Sequence, residues 1–543
     1  MKYNSTLNKD SLLILLFGII IFTIGLNPEF ISFQTRFALF AREMLQNGLS
    51  FFPTTYQGPY PDYPAMSTII IYLTSLPFNK VTTFSAILPT AITSSLILVI
   101  IYRIGALQNK KWGFYAVLFA LFTQYFIQES RSISLDQYTS LATALCFYVA
   151  YSATIYQKEK RLWFIPLILI GGFAFRGPVG LVIPTGVLCV YYLYIRDFKK
   201  LIIISGSALL LLALCVLGLF AAAYFQGGTD FVKQVFSMEI FRRISATQKN
   251  YFYYWFDSFI SYSISYPIAI IVIISQLKKI ISPKNINHKL LGCLTCWLVI
   301  VLLGMSIPGA KKARYLLPIV PAISLLAAYI FIEVSQKGIL FWTKKIFLVL
   351  CYILPYLIVL LASFVLLFQK HFQLNISSSC LSTIYLMLAL IALTLWLIKK
   401  ASKTTKNIIL MTTAVLSFIA IHVLIVNPIC YNLESTRPFV AKVEQLQKQT
   451  PGKIVFYKIG PDNEDIKFIV NSTKLIKPSF VQSEDKLIEY SASAYFITKQ
   501  NTFDKLSSKI KTRVKLLAKG KVGHKNCVVF IHLYSHPITK FLR

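Results

Sequence analysis

Charge is scarce in this chain. Only 14% of its 543 residues are Asp, Glu, Lys or Arg, where a soluble domain carries about 25%. Acids are scarcer still, with 21 Asp and Glu against 55 Lys and Arg. Nine cysteines are present, and Cys189, Cys215, Cys293 and Cys296 sit inside apolar stretches, where they read as small core residues. Cys293 and Cys296 form a CxxC, but no second pair accompanies them, so neither a metal nor a redox site is expected. No small-residue cleavage site follows the first apolar run, which reads as a retained span. No internal repeat is evident, so an inverted-repeat transporter gains no support. The shortage of charge, sustained over this length, excludes a soluble globular enzyme, a disordered chain and a disulfide scaffold.

What fills the chain is apolar. Hydrophobic residues make up 56% and aromatics 15%, and the mean hydropathy is +0.63. This composition describes a polytopic α-helical membrane protein. The formal net charge of +34 suggests no nucleic-acid partner, because the cations sit mostly in short loops between apolar runs. Anionic membrane lipids or anionic substrates are the expected partners there.

A membrane span needs roughly 20 apolar residues. Thirteen runs qualify, near 11–28, 83–105, 112–128, 136–156, 162–174, 178–195, 201–225, 258–277, 289–308, 315–334, 343–368, 379–398 and 407–427. The pair within 162–195 is short. Residues 66–78 read as a helix at the surface or leading into the second span. Placing the N-terminus in the cytoplasm puts six basic loops inside. They carry Arg103/Lys110/Lys111, Lys158/Lys160/Arg161, Arg196/Lys199/Lys200, Lys278/Lys279/Lys284, Lys337/Lys344/Lys345 and Lys399/Lys400/Lys403/Lys406. The C-terminus is then periplasmic. Residues 431–543 are polar and rich in Lys, with strand-like runs at 453–458, 494–498 and 528–533 and an amphipathic segment at 439–448. The division expected is a transmembrane domain over 1–430, with outer loops 29–82 and 226–257, and a small periplasmic α/β domain over 431–543.

The orientation rule is broken in places, and the exceptions are informative. The outer loops, which should be poor in cations, hold Arg36, Arg42, Arg131, Arg242, Arg243, Lys249, Lys311, Lys312 and Arg314, and Arg176 lies in a short Arg-Gly-Pro turn. Cations near the membrane plane cost free energy and pair with something anionic. Arg suits phosphate because its planar fork donates two parallel hydrogen bonds. The set points to a lipid phosphate held at the outer interface, with Glu29, Glu43, Asp62, Glu129, Asp136, Asp230, Glu239 and Asp257 nearby as partners or as groups that activate an acceptor. Residues 35–46 read as an amphipathic helix, followed by an ordered Pro/Tyr/Gly loop. The cluster Tyr251–Phe256 (YFYYWF) reads as an interfacial aromatic belt or as a platform for a polyprenyl chain or sugar ring.

These segments resemble a known family. Arg36-Phe-Ala-Leu-Phe-Ala-Arg42-Glu43-Met44 resembles the first outer loop of the bacterial GT-C glycosyltransferases of the ArnT type (aminoarabinose lipid A transferases), which are related to the protein O-mannosyltransferases. Tyr60-Pro-Asp62-Tyr63-Pro64 stands where that family has Tyr-Phe-Glu-Lys-Pro. Ser130-Arg131 with Asp136 is similar to its Ala-Arg-x-x-x-x-Asp. Arg176-Gly177-Pro178 is similar to its Lys-Gly-Pro turn, and Lys311-Lys312-Ala-Arg314-Tyr315-Leu-Leu-Pro318 to its Lys-Arg-x-Arg-Tyr-Leu-Leu-Pro. The resemblance implies a GT-C fold of about thirteen transmembrane helices with an outer C-terminal domain. It implies an inner-membrane enzyme that moves a hexosyl or pentosyl group from an undecaprenyl-phosphate (polyprenyl-phosphate) donor to lipid A or another envelope acceptor on the periplasmic face. Arg36, Arg131, Arg176, Arg242, Arg243, Lys311, Lys312 and Arg314 are then the donor-phosphate cations. Asp62, Glu43 and Asp136 are the candidate catalytic carboxylates, and Tyr60, Tyr63 and Tyr315 line the site.

Phe33-Gln34 occupies the place of the family's acidic pair, and Tyr63 that of a Lys. Three readings follow. Asp62 serves as the acid or base, with Glu29 or Glu43 nearby; or an ionised phosphate acceptor needs no base; or the chain binds lipid without catalysis. No metal and no other cofactor is expected, because the cations supply the neutralisation and no paired acids stand in the first loop; a divalent ion remains compatible. Alternatives to the transferase reading are a protein O-glycosyltransferase-like enzyme, a catalytically impaired lipid-binding relative, and a lipid-linked sugar flippase. The last would need a polar path through spans that are nearly all apolar.

Overall fold

The computed structural model describes residues 2–31, 35–56, 58–61, 65–238, 250–333, 337–371, 376–461, 463–488 and 494–533. Phe33, Gln34, Asp62, Tyr63, Glu239, Arg242, Arg243 and Lys249 therefore lie outside the described residues.

The helices are α1 (Lys2–Thr23), α2 (Thr35–Asn47), α3 (Met66–Ser75), α4 (Thr83–Ala106), α5 (Lys110–Leu121), α6 (Gln124–Ser130), α7 (Leu135–Tyr156), α8 (Phe164–Arg176), α9 (Pro178–Tyr194) and α10 (Phe198–Phe236). They continue as α11 (Tyr253–Ser261), α12 (Ser265–Ile281), α13 (Ile286–Ser306), α14 (Val320–Ala328), α15 (Ile339–Phe368), α16 (Ser377–Lys400) and α17 (Lys403–Ile421). Each apolar run read from the sequence falls mostly on helix among the described residues. Among the described residues, seven helical stretches are long and apolar enough to cross a membrane, and α11 with α12, bent by 119°, would make an eighth. The other runs are divided, short or less apolar. Run 112–128 is split between α5 and α6, and α8, at 13 residues, is about 20 Å long, less than a hydrocarbon core of about 30 Å.

Burial sorts the long helices. In Ala313–Phe331, 83% of the apolar window is buried inside the protein, against 11% in α10. The first is a central element; the second shows most of its side chains outward, as a rim helix facing lipid does. The central stretch opens as a 3-10 segment, Ala313–Ile319, and proline chemistry explains its ties. Pro321 has no N–H to give the carbonyl of Leu317 four residues back. The Ser140 hydroxyl of α7 donates to that carbonyl at 3.1 Å. The next carbonyl, of Pro318, accepts from Trp297 Nε1 of α13 at 2.9 Å. A buried carbonyl without a partner is costly, so these side chains fix the segment that carries Arg314.

The C-terminal residues form α18 (Asn427–Glu434), α19 (Arg437–Gln449), α20 (Glu464–Val470) and the strands β1 (Lys453–Tyr457), β2 (Ser479–Val481), β3 (Ala494–Lys499), β4 (Val514–Val522) and β5 (Lys525–His532). The sheet order is β2-β1-β3-β5-β4, with β1 parallel to β2 and β3 and the remaining pairs antiparallel. Three of these strands stand where the sequence places them; β2 and β4 carry no comparable apolar signal. Alternate residues serve opposite faces. Ile454, Phe456, Tyr495 and Ile497 pack with Phe439 and Phe468 of the helices, while Val455, Tyr457 and Phe496 pack with Leu506 and Ile510.

The segment after α1 is clamped to this unit. Phe30 N–H donates to Asn471 Oδ1 at 3.0 Å, and Asn471 Nδ2 donates back to the Phe30 carbonyl at 2.9 Å. Glu29 Oε2 accepts from the backbone N–H of Thr436 and Arg437 at the start of α19, where a carboxylate suits the helix N-terminus. Arg42 Nη1 and Nη2 donate to the carbonyls of Ile469, Ser472 and Thr473 at 2.9–3.1 Å, closing the end of α20. The Tyr56 hydroxyl bonds Asp465.

Candidate active site

Segments far apart in sequence converge on one cluster of charge. The turn from α8 to α9 supplies Arg176. Gly177 there has φ +63°, a conformation other residues rarely adopt, and Pro178 follows at the first helical position, which suits its fixed φ. The two helices cross closely enough that a Cβ on Gly180 would lie 2.0 Å from the Gly172 carbonyl oxygen. Beside the turn, Phe175 stacks on Tyr138 of α7 with ring centroids 4.1 Å apart. This packing holds Arg176 against the first turn of α7.

Arg176 Nε donates to Asp136 Oδ1 at 2.8 Å, and Arg314 Nε lies 3.2 Å from Asp136 Oδ2. One carboxylate thus holds two guanidiniums side by side. Both also lie near Tyr315, at 5.6 and 5.8 Å from its ring centre, within cation–π range. The neighbouring backbone is held by tyrosines: Tyr254 Oη accepts from Lys312 N–H at 3.1 Å and donates to the Lys312 carbonyl at 3.2 Å, and Tyr262 Oη donates to the Ala313 carbonyl at 2.8 Å. Lys311 Nζ donates to the Asn250 carbonyl at 3.1 Å and lies 5.2 Å from the Tyr251 ring centre. Arg36 Nη1 donates to Tyr60 Oη at 2.7 Å. Burial lowers the pKa of Lys312; the charges of Arg314, Arg176 and Arg36 push the same way, and Asp136 opposes them. Among the described residues Asp136 faces both guanidiniums, and the charge of Glu129 also reaches Arg314.

The cluster opens on a cavity of about 420 Å³, lined by Asp136, Arg176, Tyr251 and Tyr315 together with apolar Val179, Ile183, Met305 and Pro308. A second cavity of about 340 Å³ shares those four apolar residues and extends along α9 and α13 to Gly186 and Ile300, with no charged lining. A charged head with an apolar continuation matches an amphipathic ligand with an anionic end.

The structure gathers Arg36, Tyr60, Asp136, Arg176, Lys311, Lys312, Arg314 and Tyr315. It places others elsewhere. Arg131 donates to the carbonyls of Ile21 and Ile24 at 2.6 Å and of Gly25 at 3.2 Å. It closes the end of α1, and burial brings its pKa down to about 10. Glu43 Oε1 accepts from Tyr56 N–H at 2.7 Å, next to the strand pair Thr54–Thr55 and Gly58–Pro59, rather than lining the cavity. Asp62, Tyr63, Arg242 and Arg243 are outside the described residues. Sequence reading placed Tyr254 in the aromatic cluster Tyr251–Phe256 without its role in holding the Lys312 backbone, and did not single out Tyr262. Among the described residues no group of three or more His, Cys, Asp or Glu is placed to hold a metal ion.

The family model for dolichyl-phosphate-mannose-protein mannosyltransferases matches residues 62–224. An undecaprenyl phosphate-alpha-4-amino-4-deoxy-L-arabinose arabinosyl transferase 2 of Proteus mirabilis (strain HI4320) is 25% identical over 355 residues, covering 62% of each chain. An uncharacterized protein of Aquifex aeolicus (strain VF5) is 26% identical over 332 residues, covering 59% of this chain and 63% of that one. The chain thus spans less than two thirds of the length of these relatives. Crystal structures of ArnT from Cupriavidus metallidurans align over 95% of this chain and 97% of theirs. The TM-score is 0.69 at 14% identity with undecaprenyl phosphate bound, and 0.68 at 13% identity in the apo state. By its architecture this chain is a polytopic helical protein that shares the fold of these ArnT structures.

Proposed function

We propose that the protein takes a sugar from a polyprenyl-phosphate carrier and transfers it to lipid A or another envelope acceptor at the periplasmic face of the bacterial inner membrane. The observation that carries this reading is Asp136 holding Arg176 and Arg314 together at the mouth of a cavity that continues as an apolar groove. The relative's printed name, an undecaprenyl-phosphate aminoarabinose transferase, and the solved complex with undecaprenyl phosphate support the donor class.

The chemistry is direct displacement. An acceptor oxygen forms a bond to the anomeric carbon while the bond from that carbon to the phosphate oxygen breaks. The electron pair leaves with the lipid phosphate. Arg176, Arg314, Lys312 and Arg36 neutralise the charge that grows on the phosphate, and preorganised cations in a water-poor site do this effectively. Asp136 spends both oxygens on guanidiniums, so its role is to position them. Asp62 is the residue assigned to orient or activate the acceptor; a phosphate acceptor, already ionised near neutral pH, would dispense with a base.

A second reading, lipid binding without transfer, draws on Asp136 being, among the described residues, the carboxylate that lines the cavity and on both its oxygens facing guanidiniums. Mass spectrometry of lipid A and envelope glycans from a deletion strain tests the proposal. Loss of one sugar modification supports it, and an unchanged pattern overturns it. Conversion of labelled donor by the purified protein separates transfer from binding.

A further inference from the structure

A third cavity, of about 470 Å³, lies away from the Asp136 cluster, between α2, the turn leading into α4 and the C-terminal unit. It is lined by Arg42, Lys80 and Arg437 together with Gln46, Asn79 and Thr82. Three cations from three separate stretches of chain border one hollow, and among the described residues no carboxylate lines it. Two acids stand at its rim, held by lining residues: Glu29 accepts from the backbone of Thr436 and Arg437, and Glu444 accepts from the backbone and hydroxyl of Thr473 at 2.6 and 2.9 Å, which leaves the three cations in excess of the two carboxylates. Burial lowers the pKa of Arg42, against the pull of Glu444, which marks a charge held in poorly hydrated surroundings. Arg42 is anchored to the α20 carbonyls, while Lys80 and Arg437 are exposed and free to close on a guest. Amides and a hydroxyl beside the cations suit sugar hydroxyls.

Arg42 and Arg36 sit on the same helix, six residues apart. That is about 9 Å along the axis and about 120° around it, so Arg42 borders this cavity while Arg36 turns to Tyr60. We infer that this cavity is a second anion site, which takes the phosphate monoester of a phosphorylated sugar and so seats the acceptor's headgroup. The inference rests on the transferase reading for the word acceptor, but not for the site itself. The exposed Arg437 fork and the flexible Lys80 are what the lining offers a phosphate, while Arg42, whose terminal nitrogens serve carbonyls, adds its charge. Clamping the cavity between the membrane helices and the C-terminal unit also gives that unit a task.

The experiment uses the full-length protein in zwitterionic nanodiscs, with glucosamine 1-phosphate, inorganic phosphate and polyprenyl phosphate as separate probes in calorimetry. The variant is Lys80→Gln with Arg437→Gln; both side chains are exposed, so folding is expected to survive, and retained polyprenyl-phosphate affinity verifies it. We expect glucosamine 1-phosphate to bind the wild type and to weaken by about tenfold or more in the variant, which loses two charged donors. The acceptor KM should rise by a similar factor with kcat held. Inorganic phosphate binding as tightly as the sugar phosphate would overturn the headgroup assignment, as would unchanged sugar-phosphate affinity in the variant. Displacement of glucosamine 1-phosphate by polyprenyl phosphate would overturn a second site. A wild type that binds the sugar phosphate, loses it in the variant and yet transfers no sugar would sustain the site and sink the transferase reading.

Discussion

Arg176 donates to Asp136 across 2.8 Å with both side chains almost withdrawn from water, 5% and 8% exposed. The same carboxylate reaches Arg314 with its other oxygen. Removing one member of a buried ion pair leaves an uncompensated charge, which costs about 3–5 kcal/mol. Asp136→Asn leaves two facing guanidiniums without their anion. The expected result is a clear fall in thermal midpoint in detergent, partly recovered by adding polyprenyl phosphate. A midpoint unchanged by the substitution would remove the carboxylate from its organising role.

Arg176→Lys tests geometry rather than charge. An ammonium is a point donor and cannot hold Asp136 while offering a planar fork to phosphate. We expect transfer to drop by about tenfold or more, the worth of one charged hydrogen bond, with donor affinity falling alongside. Full activity would show that the fork is not used.

Tyr254→Phe keeps a buried ring and removes both hydrogen bonds to the Lys312 backbone. Each is worth about 1 kcal/mol net. Donor affinity should weaken several-fold because the loop carrying Lys312 and Arg314 loosens, while the helical circular dichroism spectrum stays the same.

Arg131→Gln separates structure from binding. Arg131 serves the carbonyls that end α1, so its loss should cost about 2–3 kcal/mol of stability and leave donor affinity of the folded protein intact. A selective loss of donor binding would return Arg131 to the phosphate site.

The pH response follows from Lys312. Burial, together with the charges of Arg314, Arg176 and Arg36, lowers its pKa from 10.5, so as pH rises it loses its proton before an ordinary lysine does. Attraction for an anionic phosphate is full at neutral pH and decays on the alkaline side, starting below the usual lysine range. Titrating donor affinity upward from neutral pH should show this early decline, and Lys312→Arg should move it to higher pH because guanidinium keeps its proton.

Much of the site was legible as a list and little of it as an arrangement. Asp136, Arg176 and Arg314 each stood out as charge beside an apolar run, but nothing local in the chain links residues that lie 40 positions apart or further. Arg131 carried the same signal as Arg176. One caps a helix and the other borders the cavity, because α6 ends against α1 whereas the turn at Gly177 ends against α7. Glu43 looked like an acid near the reaction and instead holds the Tyr56 backbone. The role of Tyr254, and Tyr262 altogether, were missed because hydroxyls that serve backbone groups leave no charge pattern to detect. In the C-terminal unit β1, β3 and β5 were readable from their apolar runs. The edge strands β2 and β4 were not, since an edge is only partly buried and its side chains need not be apolar.

From sequence alone came the membrane-embedded helical character of the chain and the segments where charge interrupts it. Transfer of apolar side chains out of water is close to additive along a chain, so a sliding reading captures it. Which of those charges share a cavity was settled only by tertiary structure. A side chain's partner depends on how helices distant in sequence cross and rotate against one another, and the free energy of that packing belongs to pairs of surfaces rather than to any single stretch.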